Sequence, residues 1–163
     1  MKVTHKDLVD ILNYIPETGV FIWRKQPRQK AMSLVAGTVN PNVYRQICIN
    51  QKIYKAHRLA WFYVNKVWPE GQIDHINGNR DDNRINNLRV ANFSQNQANS
   101  KRREHNKCGV KGVYLHKLSG LYMARIMVNR KSILLGYFKT SDGAGEAYKS
   151  AAIKYFGSYA RAA

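Results

Sequence analysis

Ile73-Asp74-His75-Ile76-Asn77-Gly78-Asn79-Arg80-Asp81-Asp82-Asn83-Arg84-Ile85-Asn86-Asn87-Leu88-Arg89-Val90 decides how the middle of this chain folds. Asn, Asp and Gly dominate it, and these residues favour turns and left-handed backbone. A polar run of that kind usually reads as a plain loop. Ile73, Ile76, Ile85, Leu88 and Val90 punctuate it, however, and give each end an apolar anchor. The segment is therefore predicted to form two short strands joined by a structured loop. Ser94 can cap a helix from about Gln95 to Arg103. The predicted unit is strand, loop, strand, helix.

Towards the N-terminus, residues 57–67 read as a helix with Leu59, Ala60, Phe62, Tyr63 and Val67 inward. Trp68-Pro69-Glu70-Gly71 ends it, because proline cannot continue the helical ladder. Residues 37–39, 44–49 and 53–55 look like strands, separated by Asn40-Pro41-Asn42 and Asn50-Gln51-Lys52. Residues 26–33 are polar and basic and read as a loop. Val20-Phe21-Ile22-Trp23 is strand-like after a turn at Pro16-Glu17-Thr18-Gly19. Thr4 can cap a helix that runs to about Asn13.

The other side of the stretch is more basic. Residues 1–100 carry 14 basic and 7 acidic side chains, whereas residues 101–163 carry 13 and 3. The whole chain has a formal net charge of +17, which points to a polyanionic partner, nucleic acid first. An anionic membrane fits less well. No stretch approaches the roughly 20 apolar residues of a span, and the cations are spread over many elements. Cys48 and Cys108 are the only cysteines, so no disulfide framework and no cysteine-bound zinc is expected. With no signal-like N-terminal run, a cytoplasmic setting is expected. The chain has 163 residues, 44% of them hydrophobic, enough for one folded domain or two small ones.

The basic run Lys101-Arg102-Arg103-Glu104-His105-Asn106-Lys107 marks the expected linker, residues 101–108, between modules at 1–100 and 109–163. Beyond it, residues 112–116, 121–128 and 132–138 are strand candidates. Ala144, Ala147, Tyr148, Ala151, Ala152 and Tyr155 recur at helical spacing, and Gly157 is placed to stop that helix. The second module is thus predicted as a three-stranded antiparallel sheet with one helix across a face, and the fold class as α+β. Alternation sends Val113, Leu115, Ala124, Ile126, Val128, Ile133 and Leu135 towards the helix. It sends Tyr114, His116, Met123, Arg125, Met127 and Ser132 away from it.

Asp74 and His75 are the chemical candidates. Adjacent residues near a strand point to opposite sides, so one can hold a metal while the other faces a water to be activated. Asn96 follows 22 residues after Asp74 on the next helix. Two oxygen ligands with positions left for water and phosphate suit Mg2+, with Mn2+ as the alternative. A histidine with a pKa near about 6.5 can take a proton from water at neutral pH.

Asp74-His75-Ile76-Asn77-Gly78, Asp82-Asn83-Arg84-Ile85-Asn86-Asn87-Leu88-Arg89, Asn96 and Asn99 together resemble the HNH signature of phage and intron homing endonucleases. His57-Arg58-Leu59-Ala60-Trp61 resembles the helix that usually precedes it. Pro16-Glu17-Thr18-Gly19-Val20-Phe21 resembles the N-terminal segment of many phage HNH proteins. The resemblance implies a ββα-metal fold, with Asp74 and Asn96 as ligands of one divalent ion and His75 as general base. Asn87 would brace the loop and hold His75 in position. Many relatives place a second histidine where Asn96 stands, which leaves Asn92 and Asn99 as competing ligands. His57 is balanced between a structural role and a place near the phosphate, with Arg84 and Asn99 in the same category. The implied reaction is hydrolysis of DNA, one strand per encounter, to 5′-phosphate and 3′-hydroxyl ends, by a monomer in a phage-infected bacterial host.

Gly112-Val113-Tyr114, Tyr122-Met123-Ala124-Arg125-Ile126, Leu135-Gly136-Tyr137-Phe138-Lys139-Thr140 and the alanine-rich helix resemble the Apetala-type, or ethylene-response-factor, DNA-binding domain over residues 109–157. Tyr122 departs from the usual Trp, and Gly145 from the usual Ala. The resemblance implies a sheet in the major groove of double-stranded DNA, with Arg125 touching a base. Tyr114, His116, Lys117, Arg130 and Lys131 would lie around it, and Lys101, Arg102 and Arg103 would help from the linker. The alternative is a sequence-specific DNA-binding protein with a degenerate nuclease fold. Asp74, His75 and Asn96 standing together argue against it.

Overall fold

Thr4 opens the first helix, its hydroxyl accepting the Asp7 N–H at 3.1 Å. Helix α1 (His5–Ile11) then stops two residues short of the expected end. Leu12 and Tyr14 are buried while Asn13 is exposed, a period of two that only a strand provides. Strand β1 (Leu12–Ile15) accordingly pairs antiparallel with β2 (Val20–Trp23) around Pro16–Gly19. The computed structural model describes residues 2–25, 33–102 and 106–161. Most of the expected loop at 26–33 and the Arg103 end of the expected third helix lie outside the described residues.

The chain divides into two compact units, residues 1–90 and 91–163. In the first, β3 (Thr38–Val39), β4 (Arg45–Ile49) and β5 (Lys52–Lys55) form an antiparallel sheet in the order β3-β4-β5. The β4–β5 turn places Asn50 and Gln51 at φ 49° and 62°, the geometry of a tight hairpin. Helix α2 (Ala56–Asn65) follows and buries Ala56, Leu59, Ala60 and Phe62. Each fully buried Leu or Phe side chain contributes about 1.5–3 kcal/mol. The helix ends at Lys66, which is left-handed at φ 61° and whose N–H returns to the Phe62 carbonyl. Pro69 is therefore not what stops it. Val67, expected inward, lies past this cap and is exposed. Strand β6 (Gln72–His75), a 3-10 turn at Ile85–Asn87 and β7 (Leu88–Ala91) follow, with β6 and β7 paired as the sequence predicted.

In the second unit, helix α3 (Phe93–Asn99) is capped by Asn92 rather than Ser94. Asn92 accepts from the Gln95 backbone at 2.9 Å, and the Gln95 side chain accepts from the Asn92 backbone at 2.8 Å. This reciprocal box satisfies two helix-end donors at once, which a serine inside the first turn cannot do. Ser94 instead accepts from the Asn129 N–H at 3.0 Å. The far end of α3 is closed by Lys111. Its ammonium donates to the carbonyls of Gln97, Ala98 and Ser100 at 3.1, 2.6 and 2.7 Å. Burial pulls its pKa down to about 8, with Arg161 adding to the effect. Lys111→Met should leave those carbonyls without their cation and lower stability by about 2 kcal/mol. Urea unfolding and hydrogen exchange along α3 would measure it; unchanged protection at 96–99 would refute the capping role.

Strands β8 (Val113–Leu115), β9 (Tyr122–Val128) and β10 (Lys131–Phe138) form an antiparallel sheet in the order β10-β9-β8. Helix α4 (Ser141–Phe156), capped by Thr140, packs on it and ends at Gly157. Val113, Ala124, Ile126, Ala144, Tyr148, Ala151 and Ala152 form the buried interior, as the periodicities require. Two residues depart. Leu115 is exposed at the end of its short strand, and Tyr155 is exposed while Phe156 takes the buried position. Ala98 of α3 joins this core beside Ile126 and Tyr148. The packing boundary therefore falls ahead of α3, whereas the basic run at 101–108 marks a change of composition.

Candidate active site

The Asn-rich loop after β6 is a network of side chains replacing backbone ladder. Asn87 does most of the bracing. Its Oδ1 accepts the Asn77 N–H at 3.0 Å, and its amide donates to Asn77 Oδ1 and to the Asp82 carbonyl at 3.1 and 2.8 Å. The Ile76 N–H reaches the Asn87 carbonyl at 2.9 Å. Asn77 and Asn79 each accept a backbone N–H two residues on, the Asx turns their type favours. Arg84 pairs with Asp82 at 2.6 Å, and its hydrogen bond is the main reason the Asp82 pKa falls to about 2. Arg84 thereby serves the loop as well as being half-exposed.

At the end of β6, Asp74 and His75 are each only 4% exposed. Asp74 Oδ2 accepts from Arg89 Nε and Nη2, both at 2.8 Å. Removing one member of so enclosed an ion pair costs about 3–5 kcal/mol, so Arg89 fixes the carboxylate's position. His75 Nε2 lies 3.3 Å from Asn83 Oδ1. The Asn83 amide nitrogen is committed to the Asp81 carbonyl at 3.0 Å, so its oxygen faces the imidazole. Nε2 must then carry the proton, and Nδ1 is the basic nitrogen. Burial pulls the His75 pKa below its ordinary value, against the opposing pull of Asn83 and Asp74. The ring is a neutral base at neutral pH. Asn83 is itself held from below, where the Tyr14 hydroxyl donates to its carbonyl at 2.8 Å.

His57, on the first turn of α2, stands edge-on to His75 with ring centroids 5.0 Å apart. Tyr44 flanks both rings at 5.3 and 6.0 Å. Burial, with smaller contributions from His75, Lys55 and Arg58, drives the His57 pKa down to about 3. It therefore brings no positive charge to a phosphate. Its Nδ1 is buried without a hydrogen-bond partner, so a polar atom of the wall beside His75 remains unsatisfied.

As metal donors these groups are few and oxygen-rich. No group of three or more His, Cys, Asp or Glu side chains able to hold an ion occurs among the described residues. A closed cage is thus not formed among them. One carboxylate with an amide oxygen fits a hard cation that keeps several waters, as Mg2+ does. Asn96 stands on α3 in the second unit, as does the buried Asn99, while Asn92 is engaged as the cap of that helix. In the same unit, Tyr114, Lys117, Arg125, Arg130, Lys131, Lys101 and Arg102 are exposed. His116 is half-buried, with Nδ1 2.8 Å from the Ser119 hydroxyl.

Sequence reasoning named Asp74, His75 and Asn87 but gave no role to Asn83, Arg89, Tyr14 or Tyr44. Asn83 and Arg89 lay within the motif and carried no separate signal there. Asn83→Ala should lower turnover about tenfold with little change in KM, because it frees the His75 ring without touching substrate. A shift in the His75 ring nitrogen resonances away from the Nε2–H tautomer would accompany it. An unchanged tautomer together with unchanged turnover would sink the positioning role.

Residues 54–98 match the family model of the HNH endonuclease. The matched segment contains α2, β6, the braced loop, β7 and most of α3; α1 and strands β1 to β4 precede it. The match supports an HNH nuclease within that segment. It ends before the C-terminal sheet. Neither the curated proteins nor the solved structures gave a match to the chain. No helix among the described residues is long and apolar enough to cross a membrane.

Proposed function

We propose that the chain is a metal-dependent DNA endonuclease of the strand-nicking, homing type, acting as a monomer on double-stranded DNA. The observation that carries this reading is the buried pairing of His75 with Asn83 beside Asp74, inside the segment that matches the HNH endonuclease. His75 Nδ1 takes a proton from the attacking water, and Asn83 fixes the tautomer that makes this nitrogen the base. Asn87 keeps the loop closed around them. Asp74, oriented by Arg89, and Asn96 are the proposed ligands of one Mg2+ or Mn2+. Such an ion would neutralise charge building on the scissile phosphate and stabilise the departing 3′ oxygen. The products are 5′-phosphate and 3′-hydroxyl ends.

Targeting is assigned to the module at 109–163, whose likeness to the Apetala-type domain is supported by the sheet order and by the helix on one face. Arg125 is the base-reading residue, with Tyr114 and His116 near it. Lys117, Arg130, Lys131 and the 101–103 run hold phosphates. The test is incubation with supercoiled plasmid. Open-circular product should accumulate with Mg2+ or Mn2+ and vanish with chelator. Absence of nicking with either ion sinks the enzyme reading and leaves the DNA-binding one.

A further inference from the structure

The outward face of the C-terminal sheet carries little charge for so basic a unit. Strand register arranges it in three rows. Tyr114, Met123 and Tyr137 stand abreast across the three strands, Arg125 stands opposite Leu134, and Met127 opposite Ser132. Ala124 and Ile126, between them on β9, are buried on the other face. Tyr114, Met127, Leu134 and Tyr137 are each between 47% and 55% exposed. Arg125 is the one charged side chain in these rows, with Nη2 3.5 Å from the Met123 sulfur. Lys117 and Arg130 sit in turns that edge the sheet, and Lys131 and Lys139 stand at the two ends of β10.

This division of labour has a physical meaning on duplex DNA. Phosphates lie on the rims of the major groove, where the edge cations would meet them. The floor of the groove presents hydrogen-bonding edges, and thymine alone adds a C5 methyl. A floor-facing surface of thioethers, a leucine and phenol rings has few donors to offer but much apolar surface for methyl groups. Arg125 supplies a bidentate donor, which matches guanine O6 and N7. Alternate residues on a strand stand about 7 Å apart, about two base-pair steps, so three rows span about five base pairs. An apolar docking face for another protein would need no such basic border: residues 101–163 hold 13 basic side chains against 3 acidic ones.

We infer that this face reads thymine C5 methyl groups clustered around a single guanine held by Arg125. The inference rests on the targeting role proposed above and names the sequence class that role selects.

The test uses the full chain with chelator present, so that no cutting occurs. A library of randomised duplexes is selected for binding, and the enriched duplex is rebuilt with deoxyuridine in place of thymidine, which removes only the methyl. Enriched sequences should be thymine-rich around one guanine. Each lost methyl should weaken binding about fourfold, equivalent to about 0.8 kcal/mol per buried methylene-sized group. Leu134→Ser should narrow the thymine–deoxyuridine gap, while Arg125→Ala should keep that gap and lose the guanine preference. Equal binding of both duplexes, with Arg125→Ala still weakening selection, overturns the methyl reading and leaves sheet targeting standing. No enrichment, or enrichment indifferent to both substitutions, overturns both.

Discussion

Replacing His75 by alanine is expected to slow metal-dependent plasmid nicking about a thousandfold while leaving DNA binding within a factor of two or so, the middle of the range for removing a positioned general base. The expectation follows from the enclosure of the ring. His75 is 4% exposed, its Nε2 is directed at Asn83, and burial keeps it neutral and ready to accept a proton. The nearby imidazole of His57 is not an equivalent replacement. It belongs to the wall of the site and is held neutral by the same burial. A gel assay of nicking rate beside a binding assay on the same duplex separates the two effects. If His75→Ala retains its nicking rate, the base lies elsewhere and the assignment of Nδ1 falls with it. If binding collapses in parallel, the substitution has damaged the loop rather than the chemistry.

A large effect on stability is also expected at a residue with no chemical role. Gly19 closes the β1–β2 turn at φ +74°, a conformation that L side chains rarely adopt. A Cβ there would stand 2.3 Å from the Arg84 backbone nitrogen and 2.4 Å from the Asn83 carbonyl carbon. Neither neighbour is a flexible side-chain tip, so the main chain of the loop at 76–87 must move. Left-handed backbone costs about 1–2 kcal/mol and overpacking about 1–3 kcal/mol more, so Gly19→Ala should lose about 2–5 kcal/mol in a denaturant titration. Gly120→Ala is the natural control. Its φ is +67° with nothing within 4 Å of a Cβ, so it should show the backbone contribution alone. Because the clash falls on Asn83, Gly19→Ala should also lower nicking in whatever fraction remains folded. Equal losses for the two glycine variants would mean that the contact with the loop is not tight.

The Gly19 contact also shows why parts of the site were not legible in the sequence. The turn at 16–19 and the loop at 73–90 could each be read locally, yet nothing in either says that one lies against the other. Asn87 was readable because its partners are local: it closes a ring of ten residues back to Asn77. Asn83 was not, since Asn77, Asn79, Asn83, Asn86 and Asn87 have the same hydrogen-bonding capacity. Which of them meets His75 depends on the path of the loop. Tyr14 lies just past the end expected for the first helix, and its burial in a strand brings its hydroxyl to Asn83, 69 residues away. The cap of α3 was misassigned by two residues for a simpler reason. Asn92, Ser94 and Gln95 are all competent capping residues, and only the reciprocal Asn92–Gln95 pair satisfies two donors.

By itself, the sequence determined most of the element types, most of the outward and inward rows of the C-terminal sheet, and the Asp74–His75 pair as the chemical candidate. These follow from periodicity, local turn chemistry and residue type, which act over a few residues. Only the tertiary structure decided the surroundings that enclose and orient the pair. It buried both side chains, set Arg89 against Asp74, placed Asn83 and His57 around the imidazole, and wedged Gly19 under the loop. Burial and tautomer depend on close approach between segments distant in the chain, and residue type alone does not specify which segments approach.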